Sequence, residues 1–343
     1  MMIDPWFLEN LVCPVDGSRL HLDNDSLRSE NGRTYPIIEG VPVMLVNTDN
    51  HTLWVGQASL SHAESGGKDP ESSLYLDTIG VDVDQREGIR RAFAEGTRNV
   101  DPVVSYIISH TCGIAYKHLV GQLQDYPIPE LRLPQGDGKR LLDIGCNWGR
   151  WSVAAARKGY EPVGIDPSLG AVLAARRVAA QLGVNCRHVV GDARFLPFKD
   201  ETFDTVFSYS VLQHFSKEDA SATLTGAGRV LKPGGICMIQ MPNFLGIRCL
   251  QHQFRRRFRE PTGFQVRYWS LPELKRAFES AIGPAKSSVD CFFGLGLQSA
   301  DKPLMPWHLR TITGISDFLR GLSRGLPPLV HIADSVYIQA TKP

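Results

Sequence analysis

The segment Arg140-Leu-Leu-Asp-Ile-Gly-Cys-Asn-Trp-Gly-Arg-Trp151 constrains the fold more than any other. An apolar run ends at Asp143, glycines follow at 145 and 149, and a helix-compatible stretch comes next. A buried strand, a tight turn on Gly145 and a helix start beside Gly149 open a ligand crevice at the carboxyl end of a parallel sheet. The dinucleotide fingerprint Gly-x-Gly-x-x-Gly, read from Gly145, meets Asn147 and Arg150 at its second and third positions, which disfavours NAD and FAD. A phosphate-cradling loop ending in Gly-Lys-Ser/Thr is also absent here, which disfavours ATP.

What remains is a crevice with an acid at its floor, suited to a ligand that carries positive charge. S-adenosylmethionine carries an ammonium and a sulfonium and has no phosphate. Glu161-Pro-Val-Gly-Ile-Asp166-Pro167-Ser168 reads as a second strand, ending 23 residues beyond Asp143. That is near the ~20-residue spacing at which a carboxylate reaches ribose hydroxyls. A third strand ends in Gly191-Asp192, whose carboxylate can accept from an adenine amino group while Ala193 and Phe195 flank the ring. The fourth, Thr202 to Ser210, opens into polar residues at the crevice. Singly, Asp143 also reads as a helix cap and Asp166-Pro167-Ser168 as a turn. Their order at successive strand ends favours a site.

Leu142-Asp-Ile-Gly-Cys-Asn-Trp-Gly149, Val163-Gly-Ile-Asp-Pro167, Gly191-Asp-Ala193, Phe203-Asp-Thr-Val206 and Val230-Leu-Lys-Pro-Gly-Gly235 together resemble the ordered signature of class I S-adenosylmethionine-dependent methyltransferases. The resemblance spans roughly 138–243 and weakens toward the C-terminus. It implies an α/β, Rossmann-like fold: a mainly parallel seven-stranded sheet with helices on both faces. It also implies that Asp143, Gly145 and Gly149 surround the methionine moiety, Asp166 holds the ribose, and Asp192 with Ala193 contacts adenine. Cys146, Asn147, Pro167, Ser168 and Ser208 complete the expected cofactor set. Asn147 departs from the family's usual glycine, mildly, because Asn tolerates left-handed backbone.

Composition fits an ordinary enzyme. The chain has 343 residues, 43% hydrophobic and 21% charged, enough for a large core and two domains. Net charge is +1, so no global field selects nucleic acid or a membrane. The N-terminus lacks a basic segment followed by a long apolar run, so no secretory signal is expected, and no run is long enough for a spanning helix. The seven cysteines show no Cys-x-x-Cys, which fits reduced thiols in a cytoplasm and gives no metal site. Nothing in the chain sets an oligomeric state.

The chain divides into a small, strand-like, β-rich domain over 1–46, a linker over 47–83, and the methyltransferase domain over 84–343, with helices expected from 84 to 123. Phe7-Leu-Glu-Asn-Leu-Val-Cys-Pro-Val-Asp16 and Tyr35-Pro-Ile-Ile-Glu-Gly-Val-Pro-Val-Met-Leu45 resemble the small zinc-ribbon-like proteins that activate methyltransferases. Metal-binding members use Cys-Pro-x-Cys, whereas this chain keeps Cys13 and has Asp16 at the second position. A tetrahedral zinc site needs four ligands, so no metal is expected. The module is expected to stand in for a separate activator, or only to stabilise or dimerise the enzyme.

Methyl transfer is an in-line displacement, so the protein mainly positions the acceptor and excludes water. His214, after the fourth strand, is the candidate base, and Tyr209 and Gln213 are candidates for orienting substrate. Two substrate-side insertions follow, at 244–267 and 296–330. The first carries Arg248, Arg255, Arg256, Arg257 and Arg259 with Phe254 and Phe258. It reads as a solvated helix face with both aromatics packed inward, or as a clamp for an anionic or lipid-linked acceptor or RNA phosphates. The favoured function is methyl transfer to an O, N or C atom of a small molecule such as a natural product, sugar or lipid-linked compound. A tRNA or protein methyltransferase is the alternative, nucleic acid being the less favoured partner, and a non-catalytic cofactor-binding protein comes last.

Overall fold

Asp4 accepts from the Trp6 N–H and Pro5 occupies the first turn, so a helix, α1 (Pro5–Asn10), forms where the sequence reads as strand-like. The computed structural model describes residues 3–47, 54–65, 74–96 and 99–343. Four short strands follow α1: β1 (Leu20–Asp23), β2 (Ser26–Ser29), β3 (Thr34–Ile38) and β4 (Val41–Pro42), antiparallel in sequence order. Three further α-helices, among the described residues, lie between this sheet and the main one: α2 (Trp54–Glu64), α3 (Val83–Ala94) and α4 (Pro102–Thr111).

The main sheet then alternates with helices as β5 (Arg140–Ile144), α5 (Arg150–Arg157), β6 (Glu161–Asp166), α6 (Leu169–Gln181), β7 (Arg187–Val190), β8 (Phe203–Tyr209), α7 (Lys217–Val230) and β9 (Leu231–Pro242). The remainder is α8 (Ile247–Arg255), α9 (Leu271–Ala281), β10 (Ala285–Cys291), α10 (Trp307–Ser323) and β11 (Ser335–Thr341). The seven strands lie in the order β10-β11-β9-β8-β5-β6-β7. Pairs from β9 to β7 are parallel, and β11 is antiparallel to both neighbours. The last strand therefore enters between β9 and β10. Leu142 and Ile144 share an apolar cluster with Leu224 of α7 and Phe278 of α9, whereas Leu141 packs with Trp151 and Ala155 of α5. This alternation places helices on both faces. The chain folds as the Rossmann-like methyltransferase architecture, preceded by a small antiparallel sheet. Among the described residues no helix is long and apolar enough to cross a membrane.

The linker expected over 47–83 is corrected in its described part, while 48–53 and 66–73 lie outside the described residues. Residues 54–64 are helical, and this segment satisfies the start of α6. The Ser59 hydroxyl accepts from Leu169 N–H (3.0 Å), and the Thr78 hydroxyl accepts from Gly170 N–H (2.8 Å). Helix starts leave such N–H groups without internal partners. Serine and threonine therefore act here as caps supplied from a distance, which a composition-based loop reading cannot detect.

The N-terminal sheet completes the core of the larger one. Leu27, Tyr35 and Met44 are buried in the same cluster as Leu142, Ile144 and Phe203. Met44 N–H donates to the Val190 carbonyl (2.7 Å), and Val43 bridges Val190 in parallel. The edge of β7 thus gains a partner that blocks edge-to-edge association. In the turn that bears Asp16, that carboxylate accepts from the Ser18 hydroxyl and from Asn31, while Cys13 is bonded to the Tyr35 hydroxyl. Met44→Pro removes the donor to Val190 and is expected to cost about 2–4 kcal/mol in urea unfolding. Met44→Leu should cost less than about 1.5 kcal/mol. Equal midpoints for the two variants would show that this edge bond contributes nothing.

Candidate functional site

The turn after β5 is tied to β6 by its backbone. Gly145 and Cys146 both donate to the Ile165 carbonyl, at 2.8 and 3.1 Å. Gly145 has φ 74°, and a β-carbon there would lie 2.2 Å from Val211 Cγ2, so only glycine permits this closeness. Asn147 takes the left-handed conformation with φ 46°, and its side-chain oxygen accepts from Trp148 N–H (2.9 Å). The departure from glycine is thereby accommodated. Behind the turn, Arg150 donates to the Pro127 carbonyl, the Tyr116 hydroxyl and the Asp301 carboxylate, while Trp148 Nε1 donates to Thr111. The helical segment before the sheet therefore packs directly against the glycine turn.

Asp143, only 1% exposed, accepts from the Ser152 hydroxyl at 2.7 Å. Burial pushes its carboxyl up to about 7. Asp166 accepts from Asn147 N–H (3.0 Å) on one oxygen and from Ser168 N–H (3.0 Å) on the other. Burial raises it to about 6, against those two hydrogen bonds. Each of its oxygens keeps a further lone pair. Asp192 faces the Arg194 guanidinium, with Nη2 to Oδ2 at 2.6 Å, so any adenine amino group must share that carboxylate. Ala193 follows it and is buried.

Three expected cofactor residues turn their side chains elsewhere. The Cys146 thiol packs under the turn against Gly164, where an added β-carbon would lie 2.7 Å from its sulfur. Only its backbone faces the crevice turn. The Ser168 hydroxyl caps α6 and donates to the Thr78 carbonyl, with Pro167 ahead of it in the same turn. Ser208 donates to the Ile144 carbonyl (2.9 Å), locking β8 to β5, and is fully buried.

On the other side of the crevice, Tyr209 donates to Asp290 (2.8 Å) and lies 4.6 Å from Trp151, ring centre to ring centre. Burial holds its hydroxyl well above its ordinary pKa, so it is a fixed donor. His214 has both ring nitrogens engaged. Nδ1 lies 2.8 Å from the Phe264 carbonyl and must carry the proton, which leaves the Nε2 lone pair facing the Gln213 amide at 3.2 Å. Burial lowers its pKa, keeping the ring neutral.

Sequence reasoning missed the supports of this side. Ser210 is a non-glycine residue at φ 60°, and Gln240 Oε1 accepts from both its N–H and its hydroxyl, at 2.8 Å each. Gln240 Nε2 donates to Ser335, which donates to Asp290, itself held by Arg132 and Tyr209. These residues come from five distant parts of the chain and carry no local motif. The basic insertion also needs correction: Phe254 is 63% and Phe258 48% exposed, so neither aromatic packs inward.

The raised carboxyls set a sign for stability against pH. Both groups hold protons in the fold that the unfolded chain has already lost above ~4, so their contribution falls as pH rises from about 4 to about 7 and is flat beyond. Asp143→Asn is expected to raise stability at pH 8 by about 2–4 kcal/mol and to flatten that decline. A variant that melts below wild type at pH 8 with an unchanged pH slope would contradict the burial account.

Residues 141–235 match the methyltransferase domain family model. A ubiquinone biosynthesis O-methyltransferase of Azorhizobium caulinodans is 36% identical over 106 residues, 31% of this chain and 41% of that protein. One of the same description from Cereibacter sphaeroides is 36% identical over 107 residues, 31% and 42% of the two chains. This chain spans about two fifths of the length of these curated relatives. A solved complex between the Haloferax volcanii Trm112 methyltransferase activator and the putative methyltransferase is similar with TM-score 0.43 and 19% identity, over 62% of this chain and 85% of that one. The family match falls on β5 to the first half of β9, the stretch that builds the crevice, and residues 141–235 are accordingly a class I methyltransferase domain.

Proposed function

We propose that the chain is an S-adenosylmethionine-dependent methyltransferase acting on a small-molecule acceptor. The observation that carries this reading is the glycine turn bonded to Ile165, with Asp143 buried beneath it and Asp166 beside it. Two desolvated carboxylates, each raised in pKa, favour a ligand whose positive groups restore their charged forms. The spare lone pairs of Asp166 suit ribose hydroxyls, and Asp192 with Ala193 lies at the next strand end for the adenine. S-adenosylmethionine, when bound, supplies an activated methyl group.

The chain's own work is to place the acceptor and handle its proton. The carbonyl of Phe264 fixes the His214 tautomer so that Nε2 is the basic atom. An acceptor hydroxyl that displaces the Gln213 amide from Nε2 can hand its proton there as the new bond forms. Oxygen is the favoured acceptor atom, since the curated relatives are named O-methyltransferases. A second reading is transfer to tRNA or protein by a catalytic domain with a fused activator-like module. It draws support from the place of that module, which covers the β7 edge next to Asp192.

Titration calorimetry with S-adenosylmethionine tests the donor site. Asp166→Asn is expected to weaken binding ~10–100-fold. A wild-type chain that does not bind the donor sinks the reading. His214→Ala should cut kcat by ~10²–10⁴ with donor affinity retained, and the lowered pKa of His214 should place the acid limb of wild-type kcat below the ordinary imidazole range. Near-normal kcat in His214→Ala removes the base role. Labelled donor incubated with metabolite and RNA pools separates the two acceptor classes.

A further inference from the structure

The insertion after β9 builds a second concavity on the acceptor side. A cleft of about 590 Å³ is lined by His252, Arg255, Arg256, Phe264, Gln265 and Val266, a size that takes a small organic molecule. Two linings are arginines, one is histidine, and none is acidic. Arg255 is the last residue of α8 and is exposed, and among the described residues no carboxylate pairs with it. Arg256 is held in place: Nη1 donates to the Val266 carbonyl (3.1 Å), and its guanidinium lies 5.9 Å from the Tyr268 ring centre. Its Nε is buried without a hydrogen-bond partner.

Phe264 connects the cleft to the proposed base. Its ring stacks on His214 with centres 3.8 Å apart and planes 5° from parallel, while its carbonyl engages Nδ1. The same loop is bonded to the His214 turn a second time, through Arg267 N–H to the Gln213 carbonyl (2.7 Å). A molecule seated on the arginines therefore lies one aromatic ring from His214.

We infer that the methyl acceptor is an acid, whose carboxylate or phosphate group sits on Arg255 and Arg256 while its apolar body lies against Phe264 and Val266. The word acceptor rests on the methyltransferase reading, but the anion site does not. A guanidinium presents paired N–H donors that match the oxygens of both groups. A polynucleotide fits less well, because the chain's net charge is only +1 and a long phosphate backbone needs an extended basic track.

The test is calorimetry on the full chain with benzoate, inorganic phosphate and a single-stranded RNA oligomer, beside S-adenosylmethionine. Wild type is expected to bind benzoate or phosphate. Arg255→Gln should weaken that binding at least ~10-fold, and Arg255→Glu should abolish it. Donor affinity should stay within ~2-fold in both variants, which also shows that they are folded. Benzoate alone binding assigns a carboxylate, and phosphate alone a phosphorylated acceptor. Wild type that binds the donor but neither anion overturns the inference and leaves the methyltransferase reading intact. Failure to bind the donor, with the anions still bound, overturns the methyltransferase reading instead. Anion binding unchanged by Arg255→Gln places the anion elsewhere and overturns the inference, as does RNA binding tighter than either anion and lost in Arg255→Gln.

Discussion

The two hydrogen bonds accepted by Asp166 hold the crevice in shape. One oxygen takes the Asn147 N–H of the glycine turn, and the other takes the Ser168 N–H that begins α6. A single side chain at the end of β6 thereby sets both the turn after β5 and the start of the next helix. Because it is buried, its charge is sustained only by such donors, and the ordering of the turn and the state of the carboxyl are one equilibrium. The rest of the molecule is arranged around that point. Ser59 and Thr78 complete the α6 start, Trp148 and Arg150 tie the turn to Thr111 and Tyr116 ahead of the sheet, and Val211 fills the space that Gly145 leaves open.

The N-terminal module belongs to the same cooperative structure. Its apolar face is buried in one cluster with the strands of the main sheet, and its last residues extend that sheet beyond β7. Support for the strand that ends next to Asp192 is thus built into the chain. Arg187 of β7 also pairs with Asp4 at 2.7 Å, tying the same strand to the start of α1. These contacts link the stability of the module to the geometry of the crevice beside Asp192.

The parallel core was legible because it is written locally. Each strand is a short apolar run that ends in an acid or a polar turn, and the order of Asp143, Asp166 and Asp192 follows directly from the chain. Other parts depend on residues far apart in sequence. The Ser59 and Thr78 caps serve a helix about 90 to 110 residues away, so their segment reads as a linker. α1 reads as strand from its short apolar run, yet it is a helix because its cap, Asp4, and Pro5 outweigh that run. Cys146, Ser168 and Ser208 lie near the turn, but side-chain direction there is set by packing against Gly164, Thr78 and Ile144, which no motif records. The Ser210, Gln240, Ser335 and Asp290 chain spans β8, β9, β11 and β10 and emerges only when the sheet order is known. The exposure of Phe254 and Phe258 likewise depends on how α8 lies on the rest of the fold.

The central claim is that buried, partly protonated carboxylates form the donor site, and proton release on binding tests it most directly. The enthalpy of S-adenosylmethionine binding at pH 6.5, measured in buffers of different ionisation enthalpy, reports the protons exchanged. Because burial pushes the carboxyls of Asp143 and Asp166 up to about 7 and about 6, a donor whose positive groups and hydroxyls favour their charged forms should release on the order of one proton per donor bound. Binding with no net proton release, or with uptake, would contradict the account.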